Sequence, residues 1–563
     1  MDITTKLTPI QRFFRMISLD RREILLVYAY AVFGGLINLS LPLGVQAIVG
    51  FVNSAQYSTS LALLIFVVVL GVMAAGIIQI LQMTITELLQ KRIFVRAAFE
   101  FAYRIPRFRL EGLSKFYAPE LMNRFFDTLT IQKGLSKIVL DFSSSTLQIF
   151  FGLILLSFYH PFFVFFGIAL VTMIVLIVVI TGPKGLKSSI YESKYKYEVA
   201  HWLEELARVM GTFKLAGETD LPMKKTNEHV ENYLKYRKQH FNVLITQFAN
   251  IVAFKTIITG GLLILGSILV INQEINLGQF VASEIIILLV MSSAEKLIVT
   301  LETVYDVLTG LDKMGMVTDL ELEDERGRDL GKISEGEPIA VELHGLSFAY
   351  PSARAASLRD INLEIRGGEK VAIRGTNGSG KSTFLAIVSG LYQDYTGSIL
   401  FNGIPLKDLN VQSLRSVIGE NLRQQDLFYG TLEENIAVGK PEIATSDILS
   451  AIEQVGLMPF FKSLPRGLST PIKPEGQGLP SSIRQKIILA RSFAEKPKLV
   501  VMDDVLNSLD TPDRVRINEL LTSEKNPWTL IVVTEDEDLV RRCDKVVVMK
   551  NGQIEQVIEN KRK

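Results

Sequence analysis

The chain has 563 residues, more than one domain usually contains, so its length predicts at least two domains. Its formal net charge of +1 excludes a strongly basic protein and gives no reason to expect a nucleic-acid partner. Cys543 is the only cysteine, which excludes an intrachain disulfide. Hydrophobic residues make up 48% of the chain, and their excess lies before residue 302.

Residues 1–22 are polar and basic, and the apolar run after them is too long for the core of a signal peptide. The Tyr159-His160-Pro161 corner separates two later apolar runs and predicts a tight helical hairpin. The sequence therefore predicts an all-α transmembrane domain of six helices. Its predicted spans, each long enough to cross a bilayer, are residues 24–49, 60–83, 138–158, 161–182, 246–271 and 277–300.

Lysine and arginine are absent from the loops at 52–59 and 272–276 and around His160, whereas the connections 84–137 and 183–246 are rich in both. Positively charged loops stay on the cytoplasmic side of a membrane. We therefore expect a multi-pass protein whose two termini and two long connections are cytoplasmic. Apolar residues recur at helical spacing within these connections, which predicts that the membrane helices extend beyond the bilayer.

Two ionisable residues, Lys255 and Glu284, fall inside the fifth and sixth predicted spans. Charged groups are costly there and usually face a pathway or a partner. The alternative is that Lys255 lies near the cytoplasmic surface and Glu284 near the outer one. The histidines show no spacing typical of metal ligands.

The composition turns charged after the sixth span, which predicts a solvated linker at residues 303–338. From Ile339 onward, alternating strand and helix patterns predict an α/β domain. The predicted organisation is therefore a transmembrane domain at 1–302 with cytoplasmic helical extensions, the linker, and an α/β domain at 339–563.

The segment Gly375-Thr-Asn-Gly-Ser-Gly-Lys-Ser-Thr383 fits the pattern G-x-x-x-x-G-K-[ST]. In such a P-loop the backbone N–H groups surround phosphates, the lysine reaches the β and γ oxygens, and the serine binds Mg²⁺. An apolar strand pattern precedes the segment and a helical pattern follows it, as this loop requires. The candidate phosphate-binding residues are Gly375, Asn377, Gly378, Ser379, Gly380, Lys381, Ser382 and Thr383.

Together these features resemble the ATP-binding cassette (ABC) transporters over nearly the whole chain. Six spans followed by a P-loop domain is the layout of an exporter half-transporter. Residues 119–127 and 203–218 resemble the family's two cytoplasmic coupling regions, and residues 277–282 resemble the usual entry to its sixth span. Within the exporters, the sequence is most similar to the half-transporters of type I secretion systems.

The resemblance implies roles for several cassette residues. Tyr350, which ends Phe348-Ala-Tyr350, would stack on the adenine ring. Asp503, at the end of an apolar strand resembling Walker B, would hold Mg²⁺ together with Ser382. Asp510 matches the end of the D-loop.

The family's Q-loop glutamine is displaced in this sequence. Counted back from Thr431 without a gap, its position falls on Arg423, and a shift of one residue would place it on Gln424. Both residues are therefore candidates for contact with the bound nucleotide.

Two residues that act in hydrolysis also depart from the family. Asp504 stands in place of the glutamate that orients the attacking water, and it is one methylene shorter. Glu535 stands in place of the switch histidine, and no other alignment supplies one, because the last histidine in the chain is His344. A carboxylate facing the γ-phosphate would repel it unless it were protonated or turned away.

The signature motif Leu-Ser-Gly-Gly-Gln is replaced by Leu479-Pro480-Ser481-Ser482-Ile483. Pro480 has neither the hydroxyl nor the backbone N–H that the motif offers to a γ-phosphate on the opposite subunit, although it suits the first turn of a helix. Ser481 and Ser482 place side chains where the backbone must approach the phosphate closely.

These residues lead us to expect a dimeric ABC exporter half-molecule that binds MgATP, with weak or absent hydrolysis, and exports an unidentified substrate across the inner membrane. The alternatives are a non-transporting, nucleotide-dependent membrane scaffold and the degenerate half of a heterodimer. Similarity to type I secretion implies a periplasmic adaptor and an outer-membrane channel as partners. The short lead-in predicts that no peptidase domain precedes the first span.

Overall fold

The structure is a computed structural model that describes residues 7–53, 59–114, 116–333, 336–351, 353, 355–422 and 426–560. The chain forms two compact units. The helical unit comprises Met1–Pro106 and Phe116–Leu320, and the α/β unit comprises Arg107–Lys115 and Glu321–Lys563. A short stretch between two helices of the first unit therefore belongs to the second.

Helices dominate the first 320 residues. They are α1 (Pro9–Leu19), α2 (Arg21–Asn38), α3 (Ser40–Asn53), α4 (Thr59–Arg104), α5 (Leu110–Leu113), α6 (Ala118–Met122), α7 (Asp127–Tyr159), α8 (Phe162–Arg208), α9 (Met210–Leu215), α10 (Leu221–Ile271) and α11 (Leu277–Thr318). The predicted hairpin at residues 159–161 is confirmed, because α7 ends at Tyr159 and α8 begins at Phe162.

Five stretches of the described chain are long and apolar enough to cross a membrane. They are Arg21–Asn53, Thr59–Arg107, Ala118–Tyr159, Phe162–Arg208 and Leu221–Ile271, and the first five predicted spans fall within them, except that the fourth begins one residue earlier, at Pro161. The sixth predicted span, 277–300, is helical but forms part of α11, much of whose apolar surface is buried against other helices.

The first predicted span is not one continuous helix. It breaks at Leu39, between α2 and α3. Pro42 lies in the first turn of α3 and cannot donate a backbone hydrogen bond, so the carbonyl four residues earlier, on Asn38, lacks its usual helical partner. An apolar pattern alone gives no sign of this break.

Helices α7 and α11 pack closely where glycine removes a side chain. A Cβ atom on Gly152 would lie 2.5 Å from Val290 Cγ2, and one on Gly134 would collide with Val307. Both valines are fully buried. The two glycines therefore set how near these helices approach.

Replacing Gly152 by Val should destabilise the helical unit by about 1–3 kcal/mol, because the added side chain overpacks a filled contact. The matched control is Gly260→Val on α10, where a Cβ atom meets nothing within 4 Å. Thermal unfolding in detergent measures the difference. Equal melting temperatures for the two variants would contradict this account of the contact.

The predicted linker at 303–338 differs from the structure at its start. Helix α11 continues to Thr318 because Val307, Leu311 and Val317 keep the helical period and are buried. Beyond it, Glu323 is bound by Arg415 through two hydrogen bonds of 2.7 Å. This part of the charged segment is therefore held by ion pairs within the α/β unit and is not simply solvated.

The α/β unit contains two main sheets. Its strands are β1 (Val341–Phe348), β2 (Leu358–Ile365), β3 (Lys370–Gly375), β4 (Thr396–Phe401), β5 (Ile404–Pro405), β6 (Ile418–Asn421), β7 (Gly430–Thr431), β8 (Pro471–Ile472), β9 (Leu499–Asp503), β10 (Thr529–Val533), β11 (Lys545–Lys550) and β12 (Gln553–Glu559). The larger sheet has the order β12-β11-β3-β10-β9-β6, and an antiparallel sheet has the order β2-β1-β4-β5.

The larger sheet positions the candidate site. Strands β3, β10 and β9 are parallel neighbours, and Val533 lies opposite both Ile373 and Asp503. The carboxyl ends of these three strands therefore meet at one edge, the usual place for a ligand in such a sheet. Their backbones are buried by apolar side chains on both faces.

Helices cover the sheet and complete the unit. They are α12 (Leu330–Ile333), α13 (Lys381–Val388), α14 (Val411–Arg415), α15 (Leu432–Ala437), α16 (Thr445–Gln454), α17 (Met458–Ser463), α18 (Ser481–Ala494), α19 (Thr511–Thr522) and α20 (Glu537–Arg542).

Candidate nucleotide-binding site

The P-loop connects β3 to α13 and requires glycine at both of its ends. Gly375 and Gly380 have φ angles of 147° and 99°, in the region that only glycine adopts readily. A Cβ atom on Gly380 would lie 2.8 Å from the Ser357 carbonyl oxygen, and one on Gly375 would collide with the Met549 carbonyl. The loop can therefore follow this path only if residues 375 and 380 are both glycine.

The ammonium of Lys381 lies inside the loop. Its Nζ donates to the carbonyl oxygens of Gly375 at 2.5 Å and Thr376 at 3.0 Å. The Ser379 hydroxyl is buried and has no hydrogen-bond partner in the described part of the chain. A positive charge, an unused hydroxyl and the start of α13 thus converge on one cradle, and this chemistry suits a phosphate group.

A cavity of 640 Å³ adjoins the loop. Its lining includes residues 377–383, as the sequence predicts, and also Ser357, Arg359, Asn551 and Gly552. These four were missed by the sequence analysis because they come from the start of β2, the residue before it and the β11–β12 turn, all outside the motif. A backbone hydrogen bond connects the β11–β12 turn to the P-loop, since Gly552 N–H donates to the Ser379 carbonyl at 3.1 Å.

Tyr350 lies beside the P-loop helix. Its hydroxyl is 3.0 Å from the Thr383 Oγ1, and its ring packs edge-on against Phe348 and Tyr392 at centroid distances of 5.0 and 5.3 Å. Burial raises the pKa of the Tyr392 hydroxyl. The aromatic cluster fixes the Tyr350 ring next to the loop.

Two adjacent aspartates lie at the carboxyl end of β9. Asp503 is the last residue of the strand and is buried. Asp504 has a φ angle of 55°, and its N–H donates to the Val533 carbonyl at 2.9 Å. The Asn507 amide donates to Asp504 Oδ2 at 2.5 Å. The Asp504 carboxylate is therefore held by its own loop.

Asp510, the end of the predicted D-loop, caps a helix. Its carboxylate accepts from the Asp513 N–H at 3.1 Å and so forms the N-cap of α19. A structural role therefore accounts for this side chain in the single chain.

Glu535 follows β10 and is paired. Its Oε2 lies 3.3 Å from Arg374 Nη2, and the same guanidinium group contacts Glu537 at 3.0 Å. Partial burial lowers the pKa of Arg374, but the hydrogen bonds to the two glutamates outweigh it and the pKa is raised. Arg374 directly precedes the P-loop, and the sequence analysis did not single it out.

The replaced signature motif still begins a helix. Pro480 occupies the N-cap position of α18, one residue before the predicted first turn, with φ and ψ of −56° and 148° and no side-chain hydrogen bond to the helix. Ser481 is exposed and Ser482 is half-buried at its first turn. Arg423 and Gln424, the candidate Q-loop residues, lie outside the described residues.

The structure thus separates the predicted site residues into two groups. Residues 377–383 of the P-loop line one cavity, whereas Gly375, Tyr350, Asp503, Asp504, Asp510, Glu535, Ser481 and Ser482 do not line it within the described part of the chain. The described residues also include no cluster of three or more His, Cys, Asp or Glu side chains suited to a metal. Mg²⁺ commonly uses one or two protein oxygens and completes its shell with phosphate and water, so Ser382 and Asp503 fit that ion.

Both halves of the chain match models of one protein family. Residues 24–294 match the ABC transporter transmembrane region, and residues 358–507 match the ABC transporter domain. The chain belongs to the ABC transporters. It has the organisation of a half-transporter, with one helical transmembrane region followed by one nucleotide-binding domain, and is a multi-pass membrane protein.

Curated relatives align with part of this ABC transporter chain. It is 33% identical over 214 residues to the putative multidrug export ATP-binding/permease protein YgaD of Bacillus subtilis, covering 38% of this chain and 37% of that protein. It is 33% identical over 209 residues to the ATP-dependent lipid A-core flippase of Chromobacterium violaceum, covering 37% and 36%. The chain spans little more than a third of the length of these two relatives.

A solved structure shares the fold over nearly the whole length. The bacterial Atm1-family ABC exporter with ATP bound superimposes with a TM-score of 0.79 and covers 96% of this chain and 95% of its own. The sequence identity is 18%, so this likeness shows the fold alone.

Proposed function

We propose that this chain is one half of a dimeric ABC exporter that binds MgATP and hydrolyses it slowly or not at all. The observation that carries the proposal is the pairing of Glu535 with Arg374 at 3.3 Å, at the position where the family has its switch histidine. A carboxylate held by a neighbouring guanidinium group is a poor substitute for an imidazole that contacts a γ-phosphate.

Nucleotide binding is supported by the parts of the cassette that are retained. Lys381 and the glycine backbone supply positive charge and N–H groups for phosphates, and Tyr350 supplies an aromatic ring for adenine. Ser382 and Asp503 would hold Mg²⁺, which would supply positive charge to neutralise the phosphates.

Slow hydrolysis is supported by the state of Asp504. Its side chain is shorter than glutamate, and Asn507 binds one of its oxygens at 2.5 Å. Misplacement of a catalytic group by about 1 Å can lower a rate on the order of 100-fold. The replacements at 504 and 535 are therefore both expected to lower the rate of ATP hydrolysis.

A second cassette would not restore a normal site. In a dimer, the P-loop of one chain is completed by the signature motif of the other, and here Pro480 offers neither N–H nor hydroxyl. A homodimer would carry every replacement in both sites, and a heterodimer would carry some in each. ATP binding, by closing the cassettes, would then shift the population between inward-facing and outward-facing states and drive export.

The proposed orientation places both termini in the cytoplasm of the inner membrane. It rests on the lysine-rich and arginine-rich connections at 84–137 and 183–246. A periplasmic adaptor and an outer-membrane channel are included in the proposal only as partners that similarity to type I secretion systems would imply.

The test measures binding and turnover on the same preparation in lipid nanodiscs. We expect saturable MgATP binding and a turnover below about 0.01 s⁻¹, roughly 100-fold under the lower end of ordinary enzymes. Lys381→Ala is the control that loses binding. Vanadate-sensitive turnover above about 1 s⁻¹ would overturn the proposal.

Arg359 provides a further test of the cavity. It is exposed and lines the P-loop cavity, so we expect its guanidinium group to contact a phosphate oxygen of bound ATP. We expect Arg359→Gln to weaken ATP binding by about three- to tenfold, as loss of one exposed charge-assisted contact would. Arg366→Gln, an exposed arginine outside the cavity, is the matched control. Equal affinities of both variants, by titration with labelled ATP, would exclude a role for Arg359.

A further inference from the structure

Polar residues form a continuous stripe along α7. Lys133, Lys137, Asp141, Ser144 and Gln148 follow at intervals of four, four, three and four residues, which places them on one helix face. The stripe runs from the connection rich in lysine and arginine into the third predicted span. Polar residues inside a span usually face a cavity or a partner, so this face of α7 is unlike a lipid-facing one.

The inner half of the stripe borders a cavity of 660 Å³ in the helical unit. Helices α2, α3, α4, α7 and α11 form its walls. Besides apolar residues, the lining contains amide and hydroxyl side chains within the predicted spans. These are Asn38, Ser40, Gln79, Gln82, Ser144 and Gln148. The volume lies in the range of small-molecule sites.

The break in the first predicted span lies at this wall. Asn38 and Ser40 lie on either side of the break and both line the cavity. The Ser40 hydroxyl is shielded from solvent and has no hydrogen-bond partner among the described residues. Interrupted helices that border a cavity often supply unsatisfied polar groups to a transported ligand.

A buried carboxylate joins this inner cavity to a second one. Asp141 is 7% exposed, and its carboxylate binds Lys296 Nζ at 2.8 Å and the Thr300 hydroxyl at 3.0 Å. Lys296 lines the inner cavity with a side chain that is 52% exposed. Its ammonium can therefore reach a ligand while Thr300 continues to bind Asp141.

The second cavity, of 1010 Å³, shares Asp141 with the first and is lined at its other end by charged residues. These are Glu87, Lys91, Lys133 and Lys137. Lys91 pairs with Glu87 at 3.5 Å, whereas Lys133 and Lys137 are exposed and form no ion pair within the described ranges. This second cavity therefore has an excess of positive charge, which attracts anions.

We infer that these two cavities form an entry path and binding site for an anionic, hydrogen-bonding organic solute. Lys133 and Lys137 attract its oxyanion, a carboxylate or a phosphate, into the second cavity. Lys296 then binds the oxyanion at the inner cavity, and the amides of Gln79 and Gln148 bind its neutral polar groups. The inference rests on the proposed export function and names the class of its substrate.

Charge-selective thiol labelling tests this path without knowledge of the natural solute. Gln148→Cys places a thiol in the inner cavity, and Cys543 is buried, so the wild-type chain sets the background. The probes are two methanethiosulfonates of similar size, one with a sulfonate and one with a trimethylammonium group. After division by their rates with a free thiol, we expect the anionic probe to react about tenfold faster.

Removing the lysines identifies the source of the selectivity. Lys133→Gln with Lys137→Gln, in the Gln148→Cys background, should lower the anionic preference by threefold or more, and adding Lys296→Gln should abolish it. Lys184→Gln with Lys187→Gln removes the same charge from exposed sites on α8 outside both cavities and should leave the preference unchanged. Gln79→Cys repeats the measurement from the facing wall if Gln148→Cys does not fold.

Equal rates for the two probes, or a preference that survives all three lysine replacements, would overturn the inference. ATP binding is measured on the same samples, so failure of the solute path is distinguished from failure of the nucleotide site. Comparing nanodiscs of phosphatidylglycerol with those of phosphatidylcholine identifies the source of the anion. Slower labelling in the anionic lipid points to a lipid head group, and equal labelling points to a soluble organic anion.

Discussion

Replacing Asp504 by Glu and Glu535 by His in one chain is expected to raise ATP turnover by about 100-fold. Glutamate at 504 extends the carboxylate by one methylene, and its added reach moves the group away from the Asn507 amide that holds Asp504 at 2.5 Å. Histidine at 535 replaces a charge that repels the γ-phosphate with a donor that can contact it.

The structure indicates that the double replacement will fold. Glu535 is largely exposed, and after its loss Arg374 keeps a second carboxylate, Glu537, at 3.0 Å. The bond from the residue 504 N–H to Val533 does not depend on the side chain, although the φ angle of 55° suits aspartate somewhat better than glutamate. We therefore expect little change in unfolding temperature beside the large change in turnover.

The two single variants and one negative control complete the experiment. Each single replacement should raise turnover less than the pair, since either remaining defect still limits the reaction. Lys381→Ala added to the double variant should remove the gained activity, which shows that it arises at this P-loop. A double variant that binds ATP normally yet turns over no faster than the wild type would contradict the roles assigned to residues 504 and 535.

Local patterns predicted several elements well. The hairpin at 159–161 followed from a short polar corner containing a proline, and the helix boundaries agree with it. The strand, loop and helix around the P-loop followed from a motif whose glycines are required by the backbone path, as Gly375 and Gly380 show. Such features depend on neighbours in sequence, so the sequence contains the information that specifies them.

Features that depend on strand order or helix contacts could not be predicted in this way. Arg374 meets Glu535 because β3 and β10 are adjacent in the sheet, although 161 residues separate the two side chains along the chain. Arg359 reaches the P-loop cavity because the β11–β12 turn joins β2 to it. The break at Leu39 was hidden because residues 24–49 are mostly apolar, and such a segment has the pattern of a membrane span whichever way its backbone bends.

The division of the chain into two units also depends on contacts between residues distant in sequence, and so could not be predicted. Phe108 forms an isolated bridge with Leu322, and Arg109 contacts Asp394 at 2.6 Å, so residues 107–114 pack within the α/β unit. The segment lies within a connection between two predicted spans, and its sequence does not indicate that it packs in the α/β unit. The roles of the individual nucleotide-site residues stay predictions, and they require ligand measurements.

Lys381→Ala is expected to lower ATP affinity by about 100-fold, close to 2.7 kcal/mol, because it removes the one ammonium group inside the described P-loop. That ammonium binds two carbonyl oxygens of the loop, so its removal also frees the loop that must surround the phosphates. Lys550→Ala is the matched control, since Lys550 pairs with Glu555 at 3.0 Å and lines no part of the cavity. Titration with labelled ATP measures both variants. An affinity within threefold of the wild type for Lys381→Ala would show that ATP binds elsewhere, and would remove the basis for a binding-driven exporter.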